Sequence, residues 1–285
     1  MRKFAVLAVF VGLLLVLTAI MLAGSLSVIQ RLAYVSNASG EVQLRRQQEK
    51  AWRPLGSVKQ LKTGDAMRTG AKAGVELSWV DGTRAKLGEN TELVIRKCTF
   101  NANRKVSHSL FRLNLGRIWV RVVQSLKAGS KFEVATPTAT AGVRGTVFSV
   151  GVDLNGQTEV SVYHGEVAVA AGNSSVSVPA GESVQCGPGQ SAQVQKLSPE
   201  QQRAWEKNDI TRPRLAVTCE PAAGTPGAYD LRVQSEPGAT VSVNGKPVTL
   251  DERARYSGIV SASREAPQIT VIARDARGVE ATWEE

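Results

Sequence analysis

The fold class is decided by one stretch of sequence, FSVGVDLNGQTEVSV at residues 148–162. Valine alternates there with small or polar residues on both sides of Asn155-Gly156, a pair that is typical of the tight turn of a β-hairpin. A second such pair, Asp81-Gly82, follows the alternating run Val75–Val80. These two hairpins predict an antiparallel β protein with frequent turns.

The composition of the whole chain agrees with this prediction. Of its 285 residues, 42% are hydrophobic and only 5% aromatic, and 26 are glycine. That is enough apolar material for a packed core, so a wholly disordered chain is excluded. At roughly 100–200 residues per domain, the length predicts about two domains.

The N-terminal residues predict a membrane segment. The 21 residues from Phe4 to Gly24 carry no charge and directly follow Arg2 and Lys3. At a rise of about 1.5 Å per residue, a helix of this length crosses the apolar core of a bilayer. The alternative is a cleaved signal peptide that ends near Ala23-Gly24-Ser25. We expect a signal-anchor helix over residues 1–26, with the rest of the chain exported.

Three further segments follow along the chain. Alternating strands cut by glycine turns occupy residues 34–197. Ser198-Pro199-Glu200-Gln201 has the pattern of a capping box and predicts a short linker helix within 198–212. Residues 213–285 contain about seven short strands, which is typical of an Ig-like β-sandwich. The predicted fold class is therefore all-β, with an N-terminal transmembrane helix, a linker helix and a C-terminal Ig-like β-sandwich.

Basic residues are concentrated in the first third of the exported part. Residues 25–135 hold 20 Lys and Arg against 8 Asp and Glu, whereas the whole chain carries +10. A basic face at residues 40–131 would attract a partner that bears phosphate or carboxylate groups, although the charges could also simply face water. Arg45, Arg46, Arg104 and Lys105 represent this face. Because export separates the chain from cytoplasmic nucleic acid, we expect no nucleic acid but an envelope protein or an anionic glycan or lipid.

Arg144 is the fifth candidate for partner binding. It lies between Val143 and Gly145 in an otherwise apolar segment. A buried guanidinium needs acceptors, and its planar fork can tie several turn carbonyls together. The alternative is that Arg144 anchors a carboxylate of a partner.

The residue types that carry most catalysis and metal binding are scarce. The chain has 3 Cys and 2 His, and neither His108 nor His164 has a second ligand at metal-binding spacing. There is no P-loop, dinucleotide fingerprint or HExxH pattern. We therefore expect no catalytic residue, no cofactor and no metal, and a protein that is not an enzyme.

The cysteines and tryptophans each leave two possibilities. A bridge between Cys186 and Cys219 is the one candidate disulfide, and the alternative is three unpaired thiols. Strand spacing places Trp79 with Val75 and Leu77, and Trp119 with Leu113 and Leu115, on faces that are expected in the core. A sugar-stacking platform is the alternative for these rings.

An ordered set of blocks between residues 34 and 190 resembles the FecR domain family. The blocks are AWRPLG at 51–56, LKTGDAMRTG at 61–70, LGRIWV at 115–120, FEVATPTA at 132–139, VRGTVFSV at 143–150 and YHGEV at 163–167. The resemblance implies a periplasmic all-β domain, a twisted and solenoid-like stack. Together with the predicted membrane segment, we expect a single-pass protein of the inner membrane with its domains in the periplasm; a cleaved periplasmic form is the alternative. Segment 235–250 is similar to bacterial Ig-like and PEGA-type envelope modules.

One departure from the family pattern shapes the functional hypotheses. FecR-type regulators carry a cytoplasmic helical domain that binds a sigma factor ahead of the membrane helix, whereas only Met1-Arg2-Lys3 precedes the apolar segment here. The resemblance therefore implies the sensing or scaffold domain without the output domain. We expect a non-enzymatic envelope scaffold or binding module; the alternative is a periplasmic sensor or regulatory subunit of a transmembrane signalling complex.

Overall fold

Strands make up most of the computed structural model. It describes residues 28–122, 128–143, 145–189, 192–206, 208–225, 227–236, 238–252, 254–261, 268–275 and 277–285. We call the assembly of β1–β18 the N-terminal unit and that of β19–β25 the C-terminal unit.

The elements of both units follow in chain order. The N-terminal unit contains β1 (Val28–Gln30), β2 (Ala33–Ser39), β3 (Val42–Arg45), β4 (Arg53–Pro54), β5 (Gln60–Leu61), β6 (Ala66–Thr69), β7 (Gly74–Ser78), β8 (Arg84–Leu87), β9 (Glu92–Asn101), β10 (Val106–Arg121), β11 (Lys131–Ala135), β12 (Thr140–Val143), β13 (Val147–Val152), β14 (Thr158–His164), β15 (Glu166–Ala171), β16 (Ser174–Pro179), β17 (Glu182–Cys186) and β18 (Gln193–Lys196). Helix α1 (Pro199–Glu206) and a 3-10 turn (Asp209–Thr211) come next. The C-terminal unit contains β19 (Leu215–Pro221), β20 (Ala228–Ser235), β21 (Thr240–Val243), β22 (Lys246–Val248), β23 (Arg255–Ser261), β24 (Thr270–Arg274) and β25 (Glu280–Glu284).

The strands of the N-terminal unit pair into two sheets that share β10. The first sheet has the order β4-β3-β6-β9-β10-β11-β12-β15-β16, with β1 added at the end of β9. The second has the order β5-β2-β7-β8-β10-β13-β14-β17-β18. Both predicted hairpins form, as β7–β8 and β13–β14.

Strand β10 passes from the first sheet to the second at Gly116. Its residues up to Leu115 pair with β9, and those from Gly116 onward pair with β13. The φ of Gly116 is +86°, and a Cβ at this position would lie 2.3 Å from the Oγ1 atom of Thr91. Glycine is therefore required where the two sheets are joined.

The core of the N-terminal unit lies between its two sheets. Val75 and Leu77 share the inner face of β7, and Trp79 just beyond it is 4% exposed, so the predicted burial of Trp79 is confirmed. The Phe111 ring centroid lies 5.6 Å from that of Trp79 and 5.1 Å from that of Phe132. Burial of these rings is a main source of stability.

Trp119 was predicted to share the core-facing side of its strand with Leu113, and this prediction was wrong. Leu113 and Ile118 both point into the core, because the bend at Gly116 shifts the inward and outward alternation by one residue. Trp119 therefore lies on the outer face of the second sheet, where it is half-buried.

The segment after β18 packs against this outer face. Trp205 and Ile210 form a buried cluster with Val147 and Leu197, and Trp119 packs against it. Every residue of β13 is consequently buried, on both faces. The segment predicted as a linker is thus a docked part of the N-terminal unit.

The capping box at the start of α1 is confirmed. The Ser198 backbone N–H donates to Gln201 Oε1 at 2.7 Å, and the Gln201 N–H donates to Ser198 Oγ at 3.2 Å. These bonds satisfy backbone donors that the first turn of a helix leaves free.

The C-terminal unit consists of two small sheets with their own core. β19-β20-β23 form one sheet and β22-β21-β24-β25 the other. The predicted turn at Asn244-Gly245 joins β21 to β22, and both residues have positive φ angles, of 49° and 76°. Leu231, Val241 and Val271 are buried between the sheets. The Ig-like identity of this unit stays a prediction.

One part of the predicted fold class, the transmembrane helix, was wrong. Across the part of the chain that the structure describes, no helix is long and apolar enough to cross a membrane, and α1 has 8 residues. The predicted span at residues 1–26 lies outside the described residues.

The candidate disulfide is also corrected. Cys186 and Cys219 are free, as is Cys98. Cys186 lies in the core of the N-terminal unit and Cys219 on β19 of the C-terminal unit, so the packing separates them. Burial raises the pKa of the Cys98 and Cys186 thiols, which keeps them protonated.

Candidate functional site

Two arginines clamp Trp52 on the outer face of the first sheet. The guanidinium carbons of Arg45 on β3 and Arg68 on β6 each lie 4.7 Å from the Trp52 ring centroid. Arg68 also donates from Nε to Gln43 Oε1 at 2.7 Å, which fixes its direction. Each cation–π contact at an exposed site contributes about 0.5–1 kcal/mol, so the three side chains are held as one group.

Further cations extend this group across the sheet. Arg112 on β10 lies in the same cross-strand row as Arg45, through Ala66 and Val94. Arg96 and Lys97 at the bulge of β9 are exposed on the same side. We define the basic face by its five cations, which are Arg45, Arg68, Arg96, Lys97 and Arg112.

Arg46 has a different environment from its neighbour Arg45. Its Nη1 atom donates to Asp65 Oδ2 at 2.5 Å and to the Gln60 carbonyl at 3.3 Å. Asp65 is fully buried. The charge of Arg46 thus compensates a buried carboxylate within the fold.

Arg104 and Lys105 lie in the turn between β9 and β10, away from the basic face. Asn101 Oδ1 accepts the Arg104 backbone N–H at 2.9 Å. Seven residues of β9 separate Val94, in the row of Arg45, from Asn101, which at about 3.3 Å per residue is roughly 23 Å. The structure therefore does not bring the four predicted cations together, and Arg144 lies outside the described residues.

Lys105 instead lines an apolar cleft of about 490 Å³. Ile29, Val80 and Phe100 form its apolar wall, beside an ion pair between Arg31 and Asp81. Within the described ranges, no group of three or more His, Cys, Asp or Glu side chains could hold a metal ion.

Comparison with known proteins identifies the domain that carries the basic face. Residues 65–168 match the model of a family described as FecR protein. This segment is a FecR domain. It runs from β6 into β15 and so includes four of the five cations of the basic face; Arg45 precedes it. The resemblance to the FecR family is confirmed over these residues, whereas the similarity of segment 235–250 to Ig-like and PEGA-type modules stays a prediction.

Two crystal structures are similar to the chain. Both are of a protein from Parabacteroides distasonis that is provisionally described as an anti-sigma factor. Each has 17% sequence identity and a TM-score of 0.41, and the match covers 55% of this chain and 67% of the other. Among curated proteins, none matches the sequence.

A cluster of four charged side chains, three of them buried, joins the FecR domain to the C-terminal unit. Arg121, the last residue of β10, binds both carboxylate oxygens of Glu236 with its two Nη atoms, and Nη2 also donates to Asp275 Oδ2 at 2.8 Å. Arg277 donates from Nε to Asp275 Oδ2 at 2.8 Å and from Nη2 to the Thr211 carbonyl at 2.7 Å. We call Arg121, Glu236, Asp275 and Arg277 the ionic clasp; two cations and two anions balance in it.

Sequence reasoning missed the ionic clasp entirely. Arg121 and Glu236 are each 4% exposed, although most such residues face water. The alternation around Ile118 and Val120 marks Arg121 as outward-facing, but no local pattern indicates that another unit covers it. The contact with Asp275 spans 154 positions in the chain.

Acidification is expected to weaken the ionic clasp. Burial opposes ionisation of Asp275, but the hydrogen bonds and charge of Arg277 outweigh it and hold the pKa of this carboxyl below its ordinary value. The unfolded chain therefore takes up this proton first, near pH 3.9. The stabilisation is complete above about that pH and is lost as the pH falls through the lower pKa of the folded state.

Urea denaturation of wild type and Asp275→Asn at pH 7 and pH 2.5 measures this effect. We expect Asp275→Asn to lose about 1.5–3 kcal/mol of unfolding free energy at pH 7, the usual contribution of hydrogen bonds to a charged group. The loss of unfolding free energy is expected to be smaller at pH 2.5; an equal loss at both pH values contradicts the prediction.

Arg121, Glu236 and His164 also face Asp275. Burial and the charge of Arg277 lower the pKa of His164, so the variant His164→Gln separates any contribution of this imidazole at acidic pH from that of Asp275.

Proposed function

We propose that this protein is a non-enzymatic binding protein of the cell envelope with a sensing or regulatory role. The FecR match at residues 65–168 supports this proposal, because FecR-type regulators are signalling proteins. The observation that carries it is the basic face, a group of cations on one side of the first sheet, four of which are exposed and lie within that match.

The chemistry of the basic face favours an anionic partner. Guanidinium groups bind phosphate and carboxylate through paired hydrogen bonds. Trp52 adds an aromatic surface of the kind on which a sugar ring or an apolar side chain packs. The partner is then an acidic surface of an envelope protein or an anionic glycan or lipid.

Charge reversal on the basic face tests the proposal. In the triple variant Arg45→Glu, Arg68→Glu, Arg112→Glu, we expect at least ten-fold less of the crosslinked partner in pull-downs from solubilised cells, quantified by mass spectrometry. Ten-fold corresponds to about 1.4 kcal/mol, which the loss of several exposed charge contacts supplies.

The matched control reverses three exposed cations away from this face, Lys59→Glu, Lys196→Glu and Lys246→Glu. It changes the net charge equally and is expected to keep the partner. Equal capture by both triple variants would refute binding through the basic face.

A second candidate function is that of an envelope scaffold. All four residues of β18, at the edge of the second sheet, are exposed. An exposed edge strand accepts a strand from another protein. Recovery of glycan-synthesis or outer-envelope proteins in the same pull-down favours the scaffold, whereas recovery of a signalling protein with a cytoplasmic domain favours the sensor.

A further inference from the structure

Two arginines of the FecR domain face each other beneath the C-terminal unit. Arg84 on β8 is directly opposite Arg121 on β10 in the ladder of the second sheet. Like charges at such positions repel each other, so each needs a counter-charge. Arg84 has one within its own unit, because its Nε donates to Glu76 Oε1 at 2.8 Å.

Arg121 receives its counter-charge from the other unit. Among the described residues, the carboxylates that contact it are those of Glu236 and Asp275. Asp275 is shared with Arg277 of its own unit. Glu236 thus binds the Arg121 guanidinium through two parallel hydrogen bonds, as the carboxylate of a ligand would.

The contact between the two units is ionic in character. The buried apolar clusters of the described residues each belong to one side: two lie within residues 33–210 and one within the C-terminal unit. For a buried ion pair, the cost of desolvation offsets much of the Coulomb attraction. Such a contact is specific in geometry, and another carboxylate that made the same two hydrogen bonds would compensate the charge of Arg121 in the same way.

We propose that Arg121 is a carboxylate-binding site of the FecR domain, occupied in this structure by Glu236, and that an acidic segment of a partner protein displaces the C-terminal unit from it. The C-terminal unit is then an intramolecular inhibitor of this site. The site lies on the second sheet, so it is separate from the basic face of the first sheet.

Binding of a hexaglutamate peptide to the full chain tests the site. Glu236→Gln removes the negative charge that competes for Arg121 while keeping the side-chain volume, and we expect the peptide to bind at least ten-fold more tightly than to wild type. The double variant Glu236→Gln, Arg121→Gln is expected to lose this gain. Glu220→Gln, an exposed position on β19, serves as the matched control and is expected to bind like wild type.

Equal affinity of the peptide for wild type, Glu236→Gln and the double variant would overturn the proposal. The same comparison in the triple variant of the basic face distinguishes this proposal from the proposed function. In that background, Glu236→Gln is still expected to raise the affinity for the peptide at least ten-fold, because the cations of the basic face are not part of the Arg121 site.

Hydrogen exchange on wild type provides a test that needs no variant. Arg277 of the C-terminal unit donates from Nη2 to the Thr211 carbonyl of the docked segment at 2.7 Å, so the hydrogen exchange of this guanidinium group, followed by NMR, reports whether the unit is docked. We expect its exchange to accelerate at least ten-fold in saturating hexaglutamate, because the peptide displaces the C-terminal unit. Unchanged exchange in saturating hexaglutamate would show a permanent structural contact and overturn the proposal.

Discussion

The Gly116→Ala substitution is expected to lower the free energy of unfolding of the N-terminal unit by about 3 kcal/mol. A left-handed backbone costs a residue with a Cβ about 1–2 kcal/mol. The added Cβ would lie 2.5 Å from the Thr91 Cα atom and 2.7 Å from the Asn90 carbonyl oxygen, both of which are backbone. Overpacking of this kind costs a further 1–3 kcal/mol, approximately.

Gly156→Ala is the matched control for this prediction. Gly156 also has a positive φ, of +76°, but nothing lies within 4 Å of the position its Cβ would take. Its loss is therefore expected to be only the backbone part, about 1–2 kcal/mol. Chemical denaturation of both variants measures the difference, and equal losses would show that the close approach of β10 to Thr91 is unimportant.

The second large effect is expected from Phe132→Ala, at about 3–5 kcal/mol. The Phe132 side chain is 2% exposed. Its ring centroid lies 5.1 Å from that of Phe111 and 6.4 Å from those of Trp79 and Phe148. Truncation removes this burial and leaves a cavity among three rings that the surrounding sheets prevent from collapsing.

Phe100→Ala is the matched control for Phe132→Ala. It removes the same side-chain atoms, but from a half-buried position on the wall of the cleft. Because part of the Phe100 ring is already in water, we expect a loss of about 1 kcal/mol, less than for a fully buried ring. Thermal and urea denaturation compare the two. A loss for Phe132→Ala no larger than that for Phe100→Ala would contradict a central role of the aromatic cluster.

The basic face was only partly predictable from the sequence. Alternation along β3 places Arg45 and Arg46 on different sides, but it does not indicate that a buried Asp65 lies beside Arg46. Arg68 and Arg112 were not singled out, although each is exposed in a strand with an alternating pattern. What places them near Arg45 is the order of strands in the first sheet, which depends on pairings between distant segments.

The sequence by itself determined the features that act over a few residues. The hairpin turns at Asp81-Gly82, Asn155-Gly156 and Asn244-Gly245 and the capping box at Ser198 form as predicted. Each depends on backbone angles or hydrogen bonds of adjacent residues, which the residue types themselves favour. The residue blocks that resemble the FecR family could likewise be recognised from the sequence, because each of them is a short local motif.

Only the tertiary structure decided how these pieces are combined. The passage of β10 between two sheets, the docking of α1 on the second sheet and the pairing of Arg121 with Glu236 join residues that are far apart in the chain. The physical reason is that burial and charge compensation depend on which surfaces meet. An outward-facing arginine has the same local pattern whether water or a carboxylate of another unit covers it.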